Sequence, residues 1–110
     1  MKIFIRQNDT ILIENDTVYI TADGHSYVFS VSDIDCVKMM TRKIVDDSND
    51  LSAVVIIGEN SFEVTGESKC FDDFFYCQLH TELSIDEPMF LKALAVTDSD
   101  ECFIVYKKKA

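Results

Sequence analysis

Apolar and polar residues alternate through about the first forty positions, a pattern typical of strands with one buried face. The first run contains Ile3 and Ile5, and similar runs span residues 10–14, 17–21 and 26–31. β-Branched and aromatic residues dominate each run, and Asn-Asp or Asp-Gly pairs separate them. We therefore predict an antiparallel meander in this part of the chain.

The alternation resumes in residues 36–42 and 61–65 after short polar breaks. Residues 52–58 are more continuously apolar, which favours a central strand, and a last strand is predicted over 101–106. The loop between the runs at 36–42 and 52–58 is highly charged.

After Gly66 the apolar period changes to 3.6, which predicts a helix over 69–83. Its apolar stripe contains four side chains that we expect to cover the sheet: Phe71, Phe74, Phe75 and Leu79. Tyr76 lies off that stripe, so we expect it to be exposed. Ser84 and Glu87 have capping-box spacing before a short second helix.

These elements predict an α+β fold in a single domain, residues 1–110. It consists of an antiparallel β-sheet meander of about seven strands, covered by an amphipathic helix near 69–83, then a short helix and a final strand. The length of 110 residues and the 47% apolar content suit one compact core.

Neither a membrane span nor a secretory signal is predicted. No run approaches the roughly 20 apolar residues of a membrane helix. Charge and amide groups interrupt residues 1–9 before any apolar core forms, so we expect a cytoplasmic protein.

The chemistry-bearing residues form no convincing catalytic, metal or cofactor motif. None of the four cysteines, Cys36, Cys70, Cys77 and Cys102, forms a C-x-x-C pair, so we expect free thiols that serve as small core hydrophobes. A calcium loop starting at Asp46 would place Ile57, which cannot bind calcium, at the twelfth position. Cys77 and His80 share a helix face, as a Cys–His pair would require, but no basic residue nearby would stabilise the thiolate. We expect no enzyme activity and no cofactor.

Charge is unevenly distributed along the chain. Twenty acidic and ten basic side chains give a net charge of −10. Residues 44–91 contain eleven acids and one base, Lys69, and therefore carry that entire net charge. This segment disfavours nucleic acid as a partner and is either a solubilising surface or an attractive surface for a basic protein.

The strand-rich order followed by one amphipathic helix resembles that of bacterial pleckstrin-homology-like domains over residues 2–83. The resemblance is carried by the spacing of residues 15–20 and 27–34 relative to the later helix. It implies a binding or assembly scaffold. The early loops lack the clustered basic residues with which such a domain would hold a phosphoinositide.

The sequence thus favours a small acidic protein-binding domain, such as an inhibitor or immunity-type protein that masks a basic partner. The candidate partner-binding residues are Asp46, Asp47, Asp50 and Tyr76. The alternative is a structural or self-assembling subunit that pairs through the edge strand 101–106. The partner and the oligomeric state are left open.

We predict that changing Asp46, Asp47 and Asp50 together to lysine preserves folding and abolishes partner binding, because the local charge changes sign. Circular dichroism checks the fold, and titration of the partner checks affinity. Retained binding would assign these carboxylates to solubility alone.

Overall fold

The computed structural model describes residues 1–43, 49–95 and 102–108, and it shows an α+β fold dominated by strands. Within these ranges, eight strands form two sheets. Their bounds are β1 Lys2–Ile5, β2 Thr10–Glu14, β3 Thr17–Ala22, β4 His25–Ser30, β5 Cys36–Lys43, β6 Asn49–Ile57, β7 Asn60–Thr65 and β8 Cys102–Lys107.

The small sheet is the antiparallel meander β2-β3-β4. Asn15 and Asp16 join β2 to β3 with φ of 51° and 60°, and Asp23 and Gly24 join β3 to β4 with φ of 53° and 79°. Two consecutive positive φ angles are the signature of a type I′ turn, whose twist matches that of the paired strands. The predicted turns are confirmed, and alternate residues of β2 and β3 are buried.

The large sheet has the order β1-β7-β6-β5-β8. The most apolar strand, β6, occupies its centre, as predicted, and a hairpin joins β6 to β7. At its edge, β1 runs parallel to β7, with Ile3 opposite Phe62. The backbone N–H of Ser61 donates to the carbonyl of Met1 at 2.8 Å.

The prediction of one continuous antiparallel meander was therefore wrong. Alternation identifies the buried face of a strand but does not specify its neighbour. A 3-10 turn, Val31–Asp33, follows β4 of the small sheet and precedes β5 of the large sheet. The separation into two sheets lets Phe62 of β7 pack against Tyr27 and Phe29 of β4, with ring centroids 5.9 and 5.3 Å apart.

Residues 71–82, which we call the aromatic helix, form three consecutive segments. These are α1 Phe71–Asp73, a π-helical turn Phe74–Gln78 and α2 Leu79–Glu82. The predicted apolar stripe is confirmed: its four side chains are buried, with Phe74, Phe75 and Leu79 at 0% exposure.

A second helix, α3 Glu87–Ala95, follows as predicted, but its start differs from the predicted capping box. The Asp86 carboxylate, and not Ser84, accepts a hydrogen bond from the Met89 backbone N–H at 3.1 Å. An aspartate in the residue before the helix satisfies an amide that has no partner within the first turn. Phe90 of α3 packs against Phe75, with ring centroids 5.1 Å apart, so the two helices share one aromatic contact.

The π-helical turn brings the aromatic helix to the edge of the small sheet. The Gln78 side-chain carbonyl accepts a hydrogen bond from the Ile13 backbone N–H at 2.7 Å, and the Gln78 amide donates to the Asp73 carboxylate. The five-residue separation of Asp73 and Gln78 is the spacing of a π turn. The helix therefore provides a hydrogen-bond acceptor for one backbone N–H at the edge of β2. Without it, that N–H could pair with another strand.

Phe74→Ala should lower the free energy of unfolding by about 3–5 kcal/mol, because it leaves a cavity at a fully buried site. Urea denaturation provides the measurement. Phe4→Ala is the matched control, since Phe4 is 55% exposed, and it should cost less than about 1 kcal/mol. Equal losses for the two variants would contradict the packing of the aromatic helix.

Candidate functional site

Among the phenylalanine and tyrosine rings of the aromatic helix, Tyr76 is the exposed one, as predicted, with 49% of its surface accessible. Its ring makes edge-to-face contacts with Phe75 and Phe90, at centroid distances of 5.0 and 6.5 Å. Both of those neighbours are buried. The exposed ring is thus supported by the core, which lowers the conformational entropy that it would lose on binding a partner.

Carboxylates accompany Tyr76 on the exposed sides of the two helices. Asp72 and Asp73 stand about one turn before Tyr76, and Glu87 begins α3. The Glu87 carboxylate lies 2.6 Å from Nδ1 of His80, whose ring also packs edge-on against Phe90 at 4.5 Å. We call Asp72, Asp73, Tyr76, Glu82 and Glu87 the acidic helix surface.

A polar groove continues this surface past the end of the aromatic helix. The groove has a volume of about 440 Å³, and the acidic residues Asp16 and Glu82 are among those that line it. Ser30 and Ser32, whose hydroxyls lie 2.9 Å apart, and Ser84 also line it. Two carboxylates beside hydroxyl groups form a suitable environment for an ammonium or guanidinium group.

The other predicted site residues are the aspartates at positions 46, 47 and 50. Asp46 and Asp47 lie outside the described residues. Asp50 belongs to β6, where the register places it opposite Arg42. Their predicted grouping with Tyr76 therefore stays a prediction. Asp16, which lines the groove from the β2–β3 turn, was not among the predicted residues.

The cysteines are free thiols, but their predicted role as core hydrophobes was wrong for Cys77 and Cys102, which are exposed. Cys36 and Cys70 are half-buried. His80 is directed at Glu87 rather than at Cys77, so the side chains considered for a Cys–His pair do not form one here. Among the described side chains, no group of three or more His, Cys, Asp or Glu residues could hold a metal ion.

Burial raises the pKa of the Cys36 thiol, and the negative charge of Asp35 acts in the same direction. Lys38 opposes the shift by stabilising the thiolate. Because the thiolate is the nucleophilic form, a raised pKa makes this side chain less reactive at neutral pH.

Two sheet surfaces also present apolar side chains. On the small sheet, Leu12, Tyr19 and Val28 lie directly opposite one another across the three strands, and all are exposed. On the large sheet, the side chains that point away from the core include Phe4 and Ile104, which are 55% and 45% exposed.

No helix in the described ranges has the length and apolar character of a membrane-spanning segment. Comparisons with protein-family models, curated proteins and solved structures gave no match to this chain.

We predict that iodoacetamide modifies Cys36 more slowly than the exposed Cys77 and Cys102 at about pH 8, where a thiol of raised pKa carries less thiolate. The rate at Cys36 should rise only at higher pH. Mass spectrometry of timed samples provides the rates. Lys38→Met should slow the modification of Cys36 further. An unchanged or faster modification rate would contradict the role assigned to Lys38.

Proposed function

We propose that this chain is a non-catalytic protein-binding domain that recognises a basic protein through the acidic helix surface. The observation that carries the proposal is Tyr76, an exposed ring that contacts the buried rings of Phe75 and Phe90 and follows Asp72 and Asp73 by about one helical turn. Tyrosines in such settings supply much of the binding energy of protein interfaces.

Charge supports a basic partner. The net charge of −10 creates a field that attracts cationic proteins from a distance and raises the rate of encounter. The groove lined by Asp16 and Glu82, at the C-terminal end of the aromatic helix, would accept a lysine or arginine side chain of the same partner. More specifically, the chain would be an inhibitor or immunity-type protein that masks a basic site on a toxin or nuclease.

The alternative is assembly through an edge strand. β8 lies at the edge of the large sheet, and its Ile104 is 45% exposed. The Asp86 backbone N–H, however, already donates to the Val105 carbonyl at 2.7 Å, and α3 packs beside this strand. One acceptor of β8 is therefore occupied, which favours the binding-domain proposal over assembly. The resemblance to pleckstrin-homology-like domains suits either role.

The test is capture of the partner from the native cell with the intact chain, followed by titration of the purified partner. Tyr76→Ala should weaken the affinity at least tenfold, a loss of about 1.4 kcal/mol or more. Tyr19→Ala is the matched control, because Tyr19 is 45% exposed but lies on the small sheet. It should change the affinity less than about twofold.

Salt provides the second measurement. Raising the ionic strength from about 0.05 M to about 0.5 M should weaken binding markedly, since screening shortens the range of charge attraction. An affinity that is independent of salt, or equal losses for Tyr76→Ala and Tyr19→Ala, would contradict recognition by the acidic helix surface. Thermal unfolding of both variants checks that the fold is retained.

A further inference from the structure

The outer face of the large sheet has the character of a binding groove. Strand alternation points one set of side chains, including Phe62 and Val55, into the core and the other set away from it. A concavity of about 430 Å³ lies on the outer side. Half-buried Val54 and Ile56 of the central strand line it between β1 and β5.

The two sides of this groove combine apolar and basic groups. Lys2 and Phe4 line it from β1, and Lys38 and Met40 line it from β5. Lys107 stands opposite Cys36 in the register, farther toward the β8 edge. Three lysines thus belong to one sheet face of a chain whose net charge is −10.

Glu63 is the acidic residue among the described side chains that line this groove, and it is only 7% exposed. Its carboxylate accepts a hydrogen bond of 2.7 Å from the hydroxyl of Ser52, which is fully buried. Little of this negative charge therefore faces a ligand. The charge presented by the groove is opposite in sign to that of the acidic helix surface.

The width of the groove fits an α-helix. In the order β1-β7-β6-β5, three interstrand spacings separate the two sides, which amounts to about 14 Å between backbones. An α-helix with its side chains is about 10–12 Å across. A helix lying over β7 and β6, in contact with Val54 and Ile56, would have Lys2 of β1 at one flank and Lys38 of β5 at the other.

We infer that this groove binds an amphipathic α-helix of a protein partner, with an apolar face against the sheet and carboxylates along both flanks. Charge complementarity with the lysines selects this occupant, and the strand spacing leaves room for it. A second copy of this chain is a poorer fit, because its helices already bury their apolar stripes through residues such as Phe74, Leu79 and Phe90. This groove shares no residue with the acidic helix surface, so binding here does not depend on the proposed function.

The probes are two fluorescent synthetic peptides, stapled as helices, that share one apolar face of leucine, isoleucine and phenylalanine. One peptide carries glutamate along both flanks, and the other carries lysine at the same positions. Fluorescence anisotropy with the full chain should show saturable binding of the glutamate peptide and at least tenfold weaker binding of the lysine peptide. No saturable binding of the glutamate peptide, or equal affinities, would overturn the inference.

Variants locate the binding. The double change Lys2→Glu and Lys38→Glu should lower the affinity for the glutamate peptide about tenfold or more, because two attractive contacts become repulsive. The double change Lys69→Glu and Lys92→Glu is the matched control. It makes the same change in net charge away from the groove, just before the aromatic helix and in α3, and should lower the affinity less than about threefold. Equal losses would show that net charge alone governs binding and would overturn the inference.

Methyl NMR separates this site from the acidic helix surface. The glutamate peptide should shift the signals of Val54, Ile56 and Ile104, and Tyr76→Ala should leave its affinity unchanged. Shifts confined to Leu91 and the helices, or a dimer in light scattering that Lys2→Glu and Lys38→Glu dissociate, would overturn the assignment of a partner helix. Neither result would bear on the test of Tyr76 with the basic partner.

Discussion

The packing of the aromatic helix connects the two sheets. Gln78 reaches the edge of β2 in the small sheet, while the contact between Phe75 and Phe90 joins the helix to α3. In turn, α3 packs beside β8 of the large sheet. Burial of large apolar side chains at roughly 2 kcal/mol each makes this connection a principal source of stability. The same helix presents Tyr76, so its position fixes the geometry of the candidate interface.

Two described surfaces of this protein differ in the sign of the charge that they present. Carboxylates follow the helices and the adjacent groove, whereas lysines from distant strands meet on the outer face of the large sheet. Such an arrangement makes the molecule electrically polar, so that an approaching charged protein is oriented before contact. Two surfaces of opposite sign also allow two partners to be discriminated by charge.

Local patterns predicted much of the fold, and non-local pairing accounts for what they missed. The Asn15-Asp16 and Asp23-Gly24 turns follow from residues that tolerate positive φ, and the burial of Phe74 follows from helical periodicity. The pairing of β1 with β7 could not be inferred, since nothing near Ile3 specifies Phe62 as its neighbour. For the same reason the sequence pointed to Tyr76 but not to Asp16, whose place in the groove depends on how the small sheet meets the helix.

The parallel pairing of β1 has a consequence for folding and dynamics. Among the described strands, β7 is the one neighbour of β1, and the ammonium group of Met1 donates to the Glu59 carbonyl, 58 residues away, at 3.0 Å. A long loop must close before β1 can pair, so we expect it to join late and to be among the first elements to open locally. Because β1 carries Lys2 and Phe4, each such opening would dismantle one side of the groove. Occupancy of the groove and attachment of the strand would then stabilise each other, as thermodynamic linkage requires.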